Sequence, residues 1–77
     1  MAITGNTFTI PPGATAISLS GVQGPSVTDN TIASLGGNTS GIIVGQMTQN
    51  GVVANNAFAG VSSPLQSVGA KAVRMAP

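Results

Sequence analysis

The chain has 77 residues, 42% of them apolar, and three charged side chains, Asp29, Lys71 and Arg74, for a net charge of +1. It contains no Cys, His, Glu, Tyr or Trp, which excludes disulfides, a His or Cys metal site, and a Ser-His-Asp or Cys-His catalytic arrangement within one chain. Charged residues make up 4% of the sequence, against about 25% in an ordinary soluble domain.

The first predicted element is a strand within Thr4 to Ile10, with Phe8 and Ile10 on one face and Thr7 and Thr9 on the other. Pro11-Pro12-Gly13 ends it. Pro12 pre-sets φ and Gly13 supplies φ > 0, the pair that a type II turn requires. Ala14 to Ser20 then alternates, with Thr15, Ile17 and Leu19 pointing one way, as in a half-buried strand. Gly21 to Pro25 reads as a loop. Ser26 to Leu35 fits either a strand interrupted at Asp29-Asn30 or a short helix capped by Thr28 or Asp29.

Gly41 to Gly60 carries Asn50-Gly51 between two apolar runs. That pair predicts a β-hairpin, because a type I′ turn needs φ > 0 at both central residues. The implied register sets Ile43 opposite Phe58 and Met47 opposite Ala54, on an apolar face. Gly51→Val is then expected to break the turn through its φ.

In the tail, Ser63-Pro64-Leu65-Gln66 has the form of a helix start with a capping box. Gly69 opposes a helix, and Val68 to Met75 is read as a strand or an extended arm. Asn-Thr recurs at Asn6-Thr7, Asn30-Thr31 and Asn38-Thr39, but at irregular spacing and in unlike surroundings, so a regular solenoid is not expected.

These elements predict an all-β fold: one domain over residues 1–77, a small β-sandwich or barrel-like unit of short strands and hairpins. The fold-determining turns are Pro12, Gly13, Asn50 and Gly51, and the candidate core or interface residues are Phe8, Ile17, Leu19, Ile43, Met47 and Phe58. A core this small supplies only about 3–5 kcal/mol, and no staple is available, so stability is expected to be completed by oligomerisation.

The chemistry points away from catalysis. Asp29 is a lone carboxylate, more simply read as a turn or cap residue, and no enzyme activity, metal or cofactor is expected. Two cations neutralise few phosphates, which argues against nucleic acid as a partner. Lys71 and Arg74 are instead candidate docking charges. No apolar run is long enough to span a membrane as a helix, and MAITGNTF lacks the layout of a signal peptide; synthesis in the cytoplasm is expected.

In its cysteine-free, Gly/Ser/Thr/Ala-rich style, through stretches such as FTIPPGATAISLS and NNAFAG, the chain resembles small virion proteins of tailed bacteriophages: capsid decoration or cement proteins and short fibre proteins. The resemblance implies a non-enzymatic structural protein located in the virion. Its partners would be further copies of itself, as a trimer or higher oligomer, and a larger assembly such as a capsid shell, with the terminal segments 1–7 and 63–77 as candidate arms. A receptor- or glycan-binding fibre module and a self-assembling filament subunit are the alternatives.

Overall fold

Every strand in this chain is short because a left-handed residue or a Gly or Pro interrupts each apolar run after a few residues. The computed structural model describes residues 1–76 and contains ten strands: β1 Ala2–Thr4, β2 Thr7–Ile10, β3 Thr15–Leu19, β4 Ser26–Thr28, β5 Thr31–Ser34, β6 Ser40–Val44, β7 Val52–Ala54, β8 Ala57–Ala59, β9 Ser63–Ser67 and β10 Arg74–Met75. They form three sheets, β1-β4-β7-β10, β2-β5-β8 and β3-β6-β9. Every pairing within them is parallel. The chain is therefore a three-sided parallel β-solenoid of about three turns: each turn contributes one strand to each side and lies one strand spacing below the turn before it.

The all-β expectation holds, but the sandwich or barrel does not, and the irregular Asn-Thr spacing hid a real repeat. Residues Ile42 to Ala59 do not form a hairpin. β6 lies between β3 and β9, while β7 pairs with β4 and β10 and β8 pairs with β5. Thus Ile43 stands beside Ser18 and Gln66, and Phe58 beside Ile32. The segments expected as arms are strands of the stack: β1 pairs with β4, β9 with β6 and β10 with β7. Ser63 opens a strand, not a helix, and Ser26 to Ser34 takes the interrupted-strand form, β4 and β5 flanking Asp29-Asn30. Pro77 lies outside the described residues.

Two corners repeat from turn to turn. Gly5, Asp29 and Asn55 follow β1, β4 and β7, with φ of 64°, 57° and 57°. Gly24, Asn50 and Ala72 occupy a second corner, with φ of 63°, 59° and 55°. Gly, Asn and Asp reach this left-handed region with least strain, and there the backbone swings from one side of the prism to the next.

Inside, side chains stack in columns. Ile3, Val27, Val53 and Met75 form one; Phe8, Ile32 and Phe58 a second; Ile17, Ile42 and Leu65 a third. The buried apolar core is Ile10, Ile17, Leu19, Val27, Ile32, Ile42, Val44 and Val53. Middle-turn members are fully covered, with Val27, Ile32, Ile42 and Val44 all at 0% exposure. Ile3, Phe8, Phe58, Leu65 and Met75 belong to the outer turns and are only partly buried.

Asn50 does have positive φ, but Gly51 does not. Gly51 is buried against the neighbouring turn, and a Cβ there would lie 2.7 Å from Pro25 Cγ and 3.0 Å from its carbonyl oxygen. Gly51→Val is therefore expected to destabilise the chain through crowding, by about 1–3 kcal/mol. Thermal melting should register this as a Tm lower by at least about 5 °C, whereas a wild-type melting curve would mean that Pro25 yields without cost.

Candidate functional site

Among the described residues there is no group of three or more metal-ligating side chains, and Asp29 sits exposed at a left-handed corner. Lys71 makes an isolated bridge to Gln49, and Arg74 lies in β10 beside Val52, so the two cations occupy different stretches of the last half-turn. A depression of about 300 Å³ is lined by Gln46, Met47, Thr48, Gln49, Gly69 and Lys71. A second, of about 390 Å³, lies along β7 and β10. Neither brings an acid and a base together.

The remaining candidate residues divide by position. Pro12 and Gly13 turn the chain from β2 into β3, where the Ala14 N–H donates to the Pro11 carbonyl at 3.2 Å and Gly13 has φ of 81°. Ile17 and Leu19 face the interior of the third side. Phe8 and Phe58 share one column, at opposite ends of it and with Ile32 between them. Ile43 lies half-buried on β6. Met47, expected on an apolar face, is 73% exposed with φ of 69° on a corner loop.

What sequence reasoning missed is a ladder of asparagines inside the corner between the first and second sides. Asn6 and Asn30 are 24 residues apart, Asn30 and Asn56 are 26, and they stack directly over one another. Asn30 Nδ2 donates to the Ile3 carbonyl and to Asn56 Oδ1, both at 3.0 Å, and its backbone N–H donates to the same oxygen at 3.1 Å. Asn56 Nδ2 donates to the Val27 carbonyl at 3.1 Å. Asn30 Oδ1 in turn accepts from the Asn6 backbone N–H at 3.0 Å. Each amide thus closes the gap where the corner lifts backbone groups out of the sheet ladders. Asn30 and Asn56 are buried at 1% and 6% exposure, and no buried side-chain nitrogen or oxygen among the described residues lacks a partner. The readable signal was TGNTF, TDNTI and ANNAF, three copies of a left-handed residue, Asn, a small residue and an inward apolar one.

The most distinctive surfaces are the two ends of the stack. Among the described residues, β1, β2 and β3 each have a single neighbour at one end, and at the other so do β8, β9 and β10. Sheet edges are ordinarily protected by charge, by Pro or by a covering segment. Across these six strands, AIT, TFTI, TAISL, AFA, SPLQS and RM, the sole charge is Arg74 and the sole proline is Pro64.

Comparison with protein-family models, with curated proteins and with solved structures gave no match. No helix among the described residues is long and apolar enough to cross a membrane.

Proposed function

We propose that the chain is a non-enzymatic structural subunit that builds into a larger protein assembly through contacts with further copies of itself. The observation that carries this reading is the pair of nearly uncharged solenoid ends, where six strands offer backbone donors and acceptors with one charge to deter pairing. The half-buried Ile3, Phe8, Phe58 and Leu65 at those ends support it, because a contact that covered them would add apolar burial to a small core. The resemblance to phage capsid decoration, cement and short fibre proteins suggests the setting, a virion whose shell or fibre the subunit reinforces. Within that group the parallel stack favours a fibre-like element.

Static light scattering across a range of concentrations tests the reading. A defined oligomer, or a mass that grows with concentration, is the expected result. A monomer at every concentration would overturn it.

A further inference from the structure

We infer that copies of this chain stack head to tail, the β1-β2-β3 edge of one pairing in register beneath the β7-β8-β9 edge of the next, so that the internal columns run on across the junction. The inference rests on the assembly reading above and specifies its geometry.

The asparagine ladder supplies the first argument. Asn30 and Asn56 each send Nδ2 to a carbonyl of the preceding turn and offer Oδ1 to that turn's Asn backbone N–H. Asn6 has no preceding turn among the described residues: its Nδ2 donates to Asn30 Oδ1 at 3.4 Å, as Asn30 Nδ2 does to Asn56, but its other bond goes to the Thr4 carbonyl two residues back, at 3.0 Å, in place of a carbonyl of a preceding turn. A partner completing this end must present a backbone N–H and a carbonyl spaced as one solenoid turn spaces them. The other end of the same molecule presents that spacing at Asn56 N–H and the Val53 carbonyl, because Asn56 occupies the same place in its turn as Asn6 and Asn30.

The columns supply the second argument. Continued in register, Phe8 of one copy lies on Phe58 of the next, Ile17 on Leu65, and Ile3 on Val53. The half-buried members of each column would then be covered as fully as Val27, Ile32 and Ile42 are in the middle turn.

One strand stands in the way. β10 already covers β7 through Arg74 N–H to the Gly51 carbonyl at 2.9 Å and Ala76 N–H to the Val53 carbonyl at 2.7 Å. It pairs over two residues, whereas β1 pairs over three, β2 over four and β3 over four within the stack. An incoming copy thus replaces two residue pairs with a full turn. β10, which bears the only charge of the six edge strands, acts as a displaceable cover on the growing end.

The chain has no cysteine, which makes the register directly testable. Thr7, Thr31 and Ala57 form one outward column, and Thr7 and Ala57 are exposed. Paired residues on adjacent strands lie about 4.8 Å apart, within the roughly 4.4–6.8 Å that a disulfide spans. Within one molecule Thr7 and Ala57 are two strand spacings apart, too far to bridge. Under mild oxidation the double variant T7C/A57C is expected to give a ladder of covalent multimers on a non-reducing gel. A mixture of the two single variants should stop at the dimer, and each single variant alone should remain uncrosslinked. The second pair, T9C/A59C, shares a column in the same way and should behave alike.

Crosslinking of T7C alone would show head-to-head or lateral contact and overturn the stack. Oligomers by light scattering with no crosslink from either pair would overturn the head-to-tail register while leaving the assembly reading intact. A monomer by light scattering with no crosslink would overturn both.

Discussion

Asn30→Ala is expected to lower stability by about 2–4 kcal/mol, at roughly 1–3 kcal/mol for each polar group left buried without a partner. The truncation removes the acceptor of the Asn6 N–H and the donor to the Ile3 carbonyl, and it costs Asn56 Oδ1 one of its two bonds. Only the backbone N–H of residue 30 still reaches Asn56. Against a core contribution of about 3–5 kcal/mol, the loss should bring the chain close to its unfolding threshold at room temperature. Urea titration followed by far-UV circular dichroism measures it directly as a lower midpoint. In the dissociated chain, at concentrations where light scattering gives the monomer, Asn6→Ala is the control, since Asn6 lies on an outer turn and is exposed there, and its effect should be about 1 kcal/mol or less. Equal effects at the two positions would mean that water satisfies the corner as well as the buried amides do.

Much of the strand content was legible. Phe8 with Ile10, and Ile17 with Leu19, alternate at period two because their strands each face one interior, and the structure places them so. The sequence pattern failed at the level of pairing. Asn50 carries the positive φ that a hairpin turn needs, but the same φ turns a solenoid corner, and composition does not separate a chain that reverses from one that moves on to the next side. The repeat was hidden for a related reason. Parallel register is set by the strands alone, so corners can lengthen freely: relative to the first turn, the middle turn carries one extra residue between Ser34 and Ser40 and another between Val44 and Gln49, and Leu35 and Met47 stand exposed there. Spacing between equivalent asparagines therefore drifts from 24 to 26 residues. The third copy also reads Asn56-Ala57 where the first two read Asn-Thr, so a search for Asn-Thr settles wrongly on Asn38.

The low charge gains a structural meaning from this geometry. In an antiparallel sheet with one wet face, polar residues alternate with apolar ones and charges ordinarily populate the wet side. A solenoid turn gives most of its inward positions to columns and most of its outward positions to short side chains, as at Thr7, Thr31 and Ala57 or Thr9, Ala33 and Ala59. Like charges stacked in such a column would repel one another at a single strand spacing. Serine, threonine and alanine avoid that repulsion, but they also leave the outer strands without the charges that normally keep sheet edges apart.

Gly41→Ala is the second large effect, and its cause is space alone. Gly41 does not have positive φ, so alanine suits the backbone, yet an added Cβ would sit 2.5 Å from the Pro64 carbonyl oxygen and 2.6 Å from Phe58 Cε1. The two obstacles belong to different sides of the prism. Moving β9 outward strains the Ser40–Ser63 and Ile42–Leu65 pairings, and moving the Phe58 ring disturbs the column it shares with Ile32 and Phe8. Overpacking of this kind costs about 1–3 kcal/mol, and Gly41→Val should exceed alanine. Gly37→Ala is the matched control, because Gly37 has no heavy atom within 4 Å of its Cβ position and no positive φ; it should be neutral or stabilising by about 0.4–1 kcal/mol. A double-mutant cycle with Phe58→Leu then separates the obstacles, since contacting residues couple by about 0.5–3 kcal/mol. Strong favourable coupling would place the cost on the ring. Additivity would place it on the Pro64 carbonyl and hence on the β6–β9 spacing, and a Gly41→Ala variant as stable as Gly37→Ala would refute the close approach itself.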